Sequence, residues 1–108
     1  LLQECDEKIF NEYLLPFLGY SNYIGHHMSK FSSVREGCAT FINNVRYHVI
    51  QYIDLPIKEI FRHSNYLSPF YDIRPDLRVV LEERLGTIAQ IAIIQDRDQP
   101  DHIMVIAN

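Results

Sequence analysis

The chain has no tryptophan, only two cysteines and two methionines, and four glycines in 108 residues. Cys5 and Cys38 lie far apart and form no Cys-x-x-Cys pair, which excludes the usual structural zinc arrangements. They read as buried free thiols, because a disulfide would need an oxidising compartment. Repeats and low-complexity tracts are absent. No apolar run approaches the ~18 residues that a membrane-spanning helix needs, so no membrane partner is expected. An excess of positive charge is missing too: ten Lys and Arg stand against fourteen Asp and Glu, for a net charge of −4. A nucleic-acid partner would therefore be drawn by a local site or a bound cation, not by the field of the whole chain.

What is present is enough for a core. Hydrophobic residues make up 47% of the chain and aromatics 12%, which excludes disorder and fits one domain. Both ends are apolar, Leu1-Leu2 at the start and Ile103 to Ala107 at the finish. Natural termini are usually polar and frayed. Both read as buried strands cut short, so the chain is expected to be part of a larger domain.

Along the chain, residues 1–5 read as a strand end and Asp6 as the cap of a helix. Ile9, Phe10, Tyr13, Leu14 and Phe17 then recur at helical spacing. Pro16 should end or kink that helix near Glu12, and Gly19 should stop it. Residues 20–28 are a candidate strand, 29–36 a polar loop, and 37–42 an apolar strand. Asn43-Asn44 suits a two-residue hairpin turn into an alternating strand over 45–53. In that strand Val45, Tyr47 and Val49 share one face. Residues 54–84 form an irregular, helical insert with a short helix around Ile57, Ile60 and Phe61. A firmer helix follows from Pro75, with Leu77, Val80, Leu81 and Leu85 on one face. Residues 87–95 are apolar on both alternating faces and read as a strand covered on both sides. Residues 102–107 read as a last buried strand, antiparallel to it. The fold class is α/β, with two sheets and helices outside.

Glu4 is the most informative polar residue. It stands at the carboxyl end of an apolar strand, just before a helix, where ligand and metal sites gather. The same pattern also fits an ordinary exposed glutamate at a strand end.

Leu1-Leu2-Gln3-Glu4-Cys5-Asp6 resembles the Leu-Gln-Glu-x-Asp signature of the endonuclease/exonuclease/phosphatase superfamily. Asp6 followed by Phe10 resembles the form found in its 2′-phosphodiesterase branch. Arg35-Glu36-Gly37-Cys38-Ala39-Thr40-Phe41 resembles the family's Gly-x-Ala-x-Phe strand, and Ile103 to Asn108 the strand before its Asn-Thr-His motif. The resemblance spans the chain apart from the 54–84 insert. The 2′,5′-phosphodiesterase branch is the nearest, with the nocturnin, angel and poly(A)-deadenylase branches as neighbours.

The resemblance implies a DNase I-like two-sheet α/β sandwich, truncated at both ends, with residues 1–108 as a partial domain. It implies Mg²⁺-dependent phosphodiester hydrolysis, with Mn²⁺ as the alternative cation and Glu4 as catalytic metal ligand. The implied substrate is a 2′,5′-oligoadenylate or poly(A) RNA, and the sequence shows no partner protein. Other catalytic groups of the family are not among these residues, so the chain alone is expected to be inactive. Arg35, His26 and Lys30 are candidate substrate contacts, although Arg35 also suits a solvated loop. The adjacent His26 and His27 should face opposite ways on a strand, which argues against joint metal ligation. The resemblance also implies the mitochondrial matrix, with the cytoplasm as the alternative. A non-catalytic or lipid-phosphate-directed module of the same fold is the alternative function, and an unrelated small α/β domain a third reading.

Overall fold

The computed structural model describes residues 1–30 and 35–108. Its strands form two three-stranded antiparallel sheets. The first contains β1 (Leu2–Asp6), β2 (Tyr23–Ser29) and β3 (Glu36–Asn43), in the order β1-β3-β2. The second contains β4 (Tyr47–Pro56), β5 (Ile88–Asp96) and β6 (Ile103–Ala107), in the order β4-β5-β6. The α/β two-sheet sandwich expected from the sequence is present.

Asp6 caps the first helix as expected, its carboxylate accepting from the N–H groups of Lys8 at 2.8 Å and Ile9 at 3.0 Å. Pro16 does not end that helix. It lacks the N–H that the Glu12 carbonyl would receive. The chain widens instead: α1 (Glu7–Ile9) passes into a π-helical turn over Phe10–Leu14, then into α2 (Leu15–Gly19). The Leu15 N–H reaches back to the Phe10 carbonyl, five residues away. Only part of the expected apolar stripe is buried. Phe10, Leu14 and Leu15 pack on Cys5, Ala39 and Phe41, while Ile9, Tyr13 and Phe17 face solvent.

The hairpin expected at Asn43-Asn44 does not form. β3 and β4 belong to different sheets, and neither asparagine has positive φ. The Asn43 side chain instead accepts from the N–H groups of Val45 and Arg46, turning the chain from one sheet to the other. A bulge between Val49 and Gln51 then shifts the phase of β4. Tyr47, Val49 and Tyr52 therefore pack inward with Ile42, Ala92 and Ile94, and Val45 stays exposed.

The terminal strands are edge strands, not buried ones. In β1 only Cys5 is buried, and in β6 Ile103, Val105 and Ala107 are exposed. The radius of gyration is 17.1 Å, against about 13 Å for a compact chain of this size. β2 runs one residue further than expected, to Ser29, and β3 starts at Glu36. The rest of the expected loop falls partly on residues 31–34, outside the described residues. The 57–84 region is helical, with α3 (Ile57–Arg62), α4 (Ser68–Ile73) and α5 (Pro75–Val79), and it returns to the sheet where the Ile57 N–H meets the Thr87 carbonyl at 3.0 Å.

β5 alternates between a fully buried face (Ile88, Gln90, Ala92, Ile94) and a half-buried one. The buried face includes a glutamine. Gln90 is 1% exposed and accepts from the Thr40 hydroxyl of the other sheet at 2.9 Å. Its amide nitrogen has no partner among the described residues. An unmade buried hydrogen bond costs more than a made one contributes. Thr40→Val is therefore expected to lower stability by about 1–3 kcal/mol. Adding Gln90→Leu should restore most of that loss, since no buried polar group then stays unpaired. Denaturant midpoints of the single and double variants check this; a double variant less stable than Thr40→Val would contradict it.

Candidate functional site

All three motif segments meet at one end of the sandwich. The carboxyl ends of β1, β2, β4 and β6 and the first residues of β3 and β5 lie together there, as the antiparallel registers require. Between them is an open recess of about 240 Å³, lined by Glu4, Lys30, Cys38, Ile88 and Asn108 among others.

The recess begins with a backbone irregularity. Leu2 pairs with Ala39 and Cys5 with Gly37, so Gln3 and Glu4 together stand opposite Cys38. This is a β-bulge, a device that re-aims a side chain. Glu4 takes φ 53 in it, a left-handed conformation that costs an L-residue roughly 1–2 kcal/mol. Gly37 lets the neighbouring strand fit. A Cβ there would collide with the Met28 carbonyl oxygen, so any other residue would force β2 away from β3.

Asn108 ties the bulge to the second sheet. Its side-chain amide donates to the carbonyls of Leu2 at 3.0 Å and Ala39 at 3.1 Å, on either strand flanking the bulge. Its backbone pairs in both directions with Gln90, at 2.8 and 2.9 Å. Both amide hydrogens are thereby used. Asn108 acts here as a brace and has no N–H left for a ligand.

The Glu4 carboxylate is open, its side chain 74% exposed, and the Lys30 ammonium lies 3.3 Å from Oε1. Cys38 is buried on the same inner face of β3 as Thr40 and Ile42. Burial pushes its thiol above the ordinary value; the Lys30 charge opposes that push and Asp54 adds to it. Cys38 is thus a neutral wall of the recess and no nucleophile.

The expected site residues divide in two. Glu4 and Lys30 come together in the recess. His26 and Arg35 are not among its lining residues. His26 points between the sheets, bonded to Asp54 at 2.7 Å and stacked on Tyr52 with ring centroids 4.3 Å apart. His27 faces the helix side, against the Cys5 carbonyl and Phe10, so the two rings diverge as expected. Arg35 is exposed, and its carbonyl receives the Glu7 N–H at 3.0 Å, which ties this residue to the helix start. The bracing role of Asn108 and the lining role of Cys38 are not visible in residue pattern. A lone Gln90 within an apolar strand was the available signal for a polar contact between the sheets.

A larger recess, about 420 Å³, lies at the opposite end and is lined by Arg46, Tyr47, Asp96 and His102 among others. Its buried carboxylate is already engaged. Asp96 accepts from the Asp98 N–H at 2.9 Å and has Arg46 at 3.6 Å. The smaller recess, with its open carboxylate on a strained backbone, is the better candidate.

No protein-family model matches the sequence, and no curated protein matches it either. Among solved structures the chain is similar to ANGEL2, described as a 2′,3′-cyclic phosphatase and solved in complex with adenosine-2′,3′-vanadate. The TM-score is 0.73 at 17% identity, over 99% of this chain and 25% of that one. The likeness establishes the fold, and the chain spans about a quarter of that protein's length.

The strain at Glu4 makes a separate expectation. Glycine adopts positive φ at no steric cost. Glu4→Gly is therefore expected to be more stable than Glu4→Ala by about 1 kcal/mol, opposite to the usual order in a strand. Thermal or denaturant unfolding checks it; equal stability of the two variants would remove the strain from the account.

Proposed function

We propose that this chain forms part of a metal-dependent phosphoester hydrolase of the endonuclease/exonuclease/phosphatase superfamily, with Glu4 as a ligand of the catalytic cation. The observation that carries this reading is the conformation of Glu4. A solvated strand-end glutamate needs no bulge and no left-handed backbone, whereas strain of this kind clusters at functional sites. The fold likeness to a 2′,3′-cyclic phosphatase supports a phosphoester substrate. The narrower reading, a 2′,5′-phosphodiesterase or 3′-exoribonuclease acting on oligoadenylates or poly(A), rests on the order of the Leu2–Asp6, Glu36–Phe41 and Ile103–Asn108 motifs.

Glu4 fits Mg²⁺ or Mn²⁺ in one respect: it offers an open, hard carboxylate oxygen. Mg²⁺ keeps several waters and commonly takes one or two carboxylates together with substrate phosphate. No cluster of three or more His, Cys, Asp or Glu able to hold a metal exists among the described residues. Glu4 would thus supply one ligand beside water and phosphate. When bound there, the cation would offset phosphate charge and stabilise charge on the reacting oxygens. Lys30 stands beside Glu4 to meet a phosphate oxygen, whereas Arg35, outside the lining of the recess, would touch only a substrate that extends beyond it. Cys38 and Ile88 keep the inner wall apolar, which strengthens these attractions. His26, held by Asp54, would take part only by supporting the inter-sheet wall.

Hydrolysis of 2′,5′-triadenylate and of oligo(A) by the full-length protein, with and without Mg²⁺, tests the reading. Glu4→Gln is expected to lower the Mg²⁺-dependent rate about 100-fold or more without altering the circular dichroism spectrum. A Glu4→Gln rate equal to wild type would remove the ligand role. Binding of phosphoinositide vesicles with no hydrolysis of either oligonucleotide would favour the lipid-directed alternative.

A further inference from the structure

We propose that Lys30 is an exchangeable counter-ion: it pairs with Glu4 in the cation-free protein and moves to a phosphate oxygen when a divalent cation takes that carboxylate. The inference rests on the reading of Glu4 as a cation ligand and adds to it a coupling between cation and phosphate binding.

The geometry supports the exchange at each end. Lys30 is the ion-pair partner of Glu4 among the described residues, at 3.3 Å. The pair is lopsided. The Glu4 side chain is 74% exposed, whereas that of Lys30 is 29% exposed and lies along the recess. Glu4 is therefore open to a cation from solvent while its present partner approaches from inside. The root of Lys30 is fixed, because its N–H donates to the Glu36 carbonyl at 2.7 Å. Its four-carbon stem remains free to swing a compact charge, which a bidentate arginine would do less readily. Glu4 has less freedom, since its backbone is held in the bulge that Asn108 braces.

A divalent cation on Glu4 would place like charges side by side, and the ammonium would have to leave. The recess offers it no second carboxylate: of its other lining residues, Gln3, Cys38, Thr87, Ile88 and Asn108, none is an acidic side chain. An incoming phosphate oxyanion is the natural new partner. Linkage then runs both ways. The Glu4–Lys30 pair weakens the binding of cation alone and of phosphate alone, and each relieves the pair for the other.

Two substitutions read the two halves of this exchange without any turnover. Binding of Mn²⁺ alone, followed by electron paramagnetic resonance, is expected to be about fivefold or more tighter in Lys30→Met than in wild type, because the competing charge is gone. Lys30→Gln should behave alike, and Lys30→Arg should not gain. Binding of inorganic phosphate alone, followed by calorimetry, should tighten similarly in Glu4→Gln, where the ammonium is released. A purely structural lysine predicts no gain, with Mn²⁺ binding unchanged or weaker in Lys30→Met and Lys30→Gln, and that result would overturn the exchange. Equal Mn²⁺ binding by wild type and Glu4→Gln would overturn the Glu4 ligand reading itself. Loss of Mn²⁺ in Glu4→Gln with no gain in either lysine variant would overturn the exchange alone.

Discussion

The two hydrogen bonds from the Asn108 amide to the carbonyls of Leu2 and Ala39 are the contact on which the site depends. Each sheet has its own ladder of backbone bonds, but ladders do not position one sheet against another. Apolar packing between the layers is small, centred on Ile42, Ala92 and Ile94. It resists separation but defines sliding poorly, because hydrophobic contact is non-directional. Directional bonds supply what packing lacks. Asn108, the Thr40–Gln90 pair and the His26–Asp54 pair form a polar seam across the interface, each joining a residue of one sheet to a residue of the other. The seam ends at the bulge, so the same bonds that register the sheets also fix the backbone from which Glu4 projects.

This arrangement explains why a strained residue can persist. Positive φ at Glu4 is unfavourable taken alone. It is held by neighbours that have little freedom: Cys5 buried under the helix, Gly37 pressed against β2, and Leu2 bonded to Asn108. The result is a carboxylate that points outward from a strand end without sinking into the core or folding back on its own helix. The acidic turn at the other end of the sandwich shows the contrast. There Asp96 is buried and its oxygens are directed to Asp98 and Arg46, so its charge serves the turn.

Much of the architecture was legible because it depends on local rules. The order of strands and helices, the Asp6 cap, the antiparallel β5–β6 pair and the divergence of His26 and His27 follow from spacing and capping. Composition misleads where the chain has a second way to satisfy the same backbone groups or where sheet order decides burial. Asn43-Asn44 has the composition of a hairpin turn, but Asn43 uses its side chain to turn the strand into the opposite sheet. Pro16 removes an N–H as expected, yet a π turn absorbs the loss. The apolar ends suggested buried strands, whereas β1 and β6 lie at sheet edges. Of the site, Glu4 was legible from its place after a strand. Its bulge, its pairing with Lys30 and the bracing by Asn108 join residues far apart in sequence, and no periodicity encodes them.

The central claim, that the Glu4 recess is where a divalent cation binds, can be tested by mapping paramagnetic broadening of backbone amide signals during a Mn²⁺ titration. Broadening should appear first at Glu4, Lys30, Cys38, Ile88 and Asn108, which line the recess. Broadening that begins instead at the acidic turn of Asp96, Asp98 and Asp101, or that spreads evenly over the chain, would contradict the account.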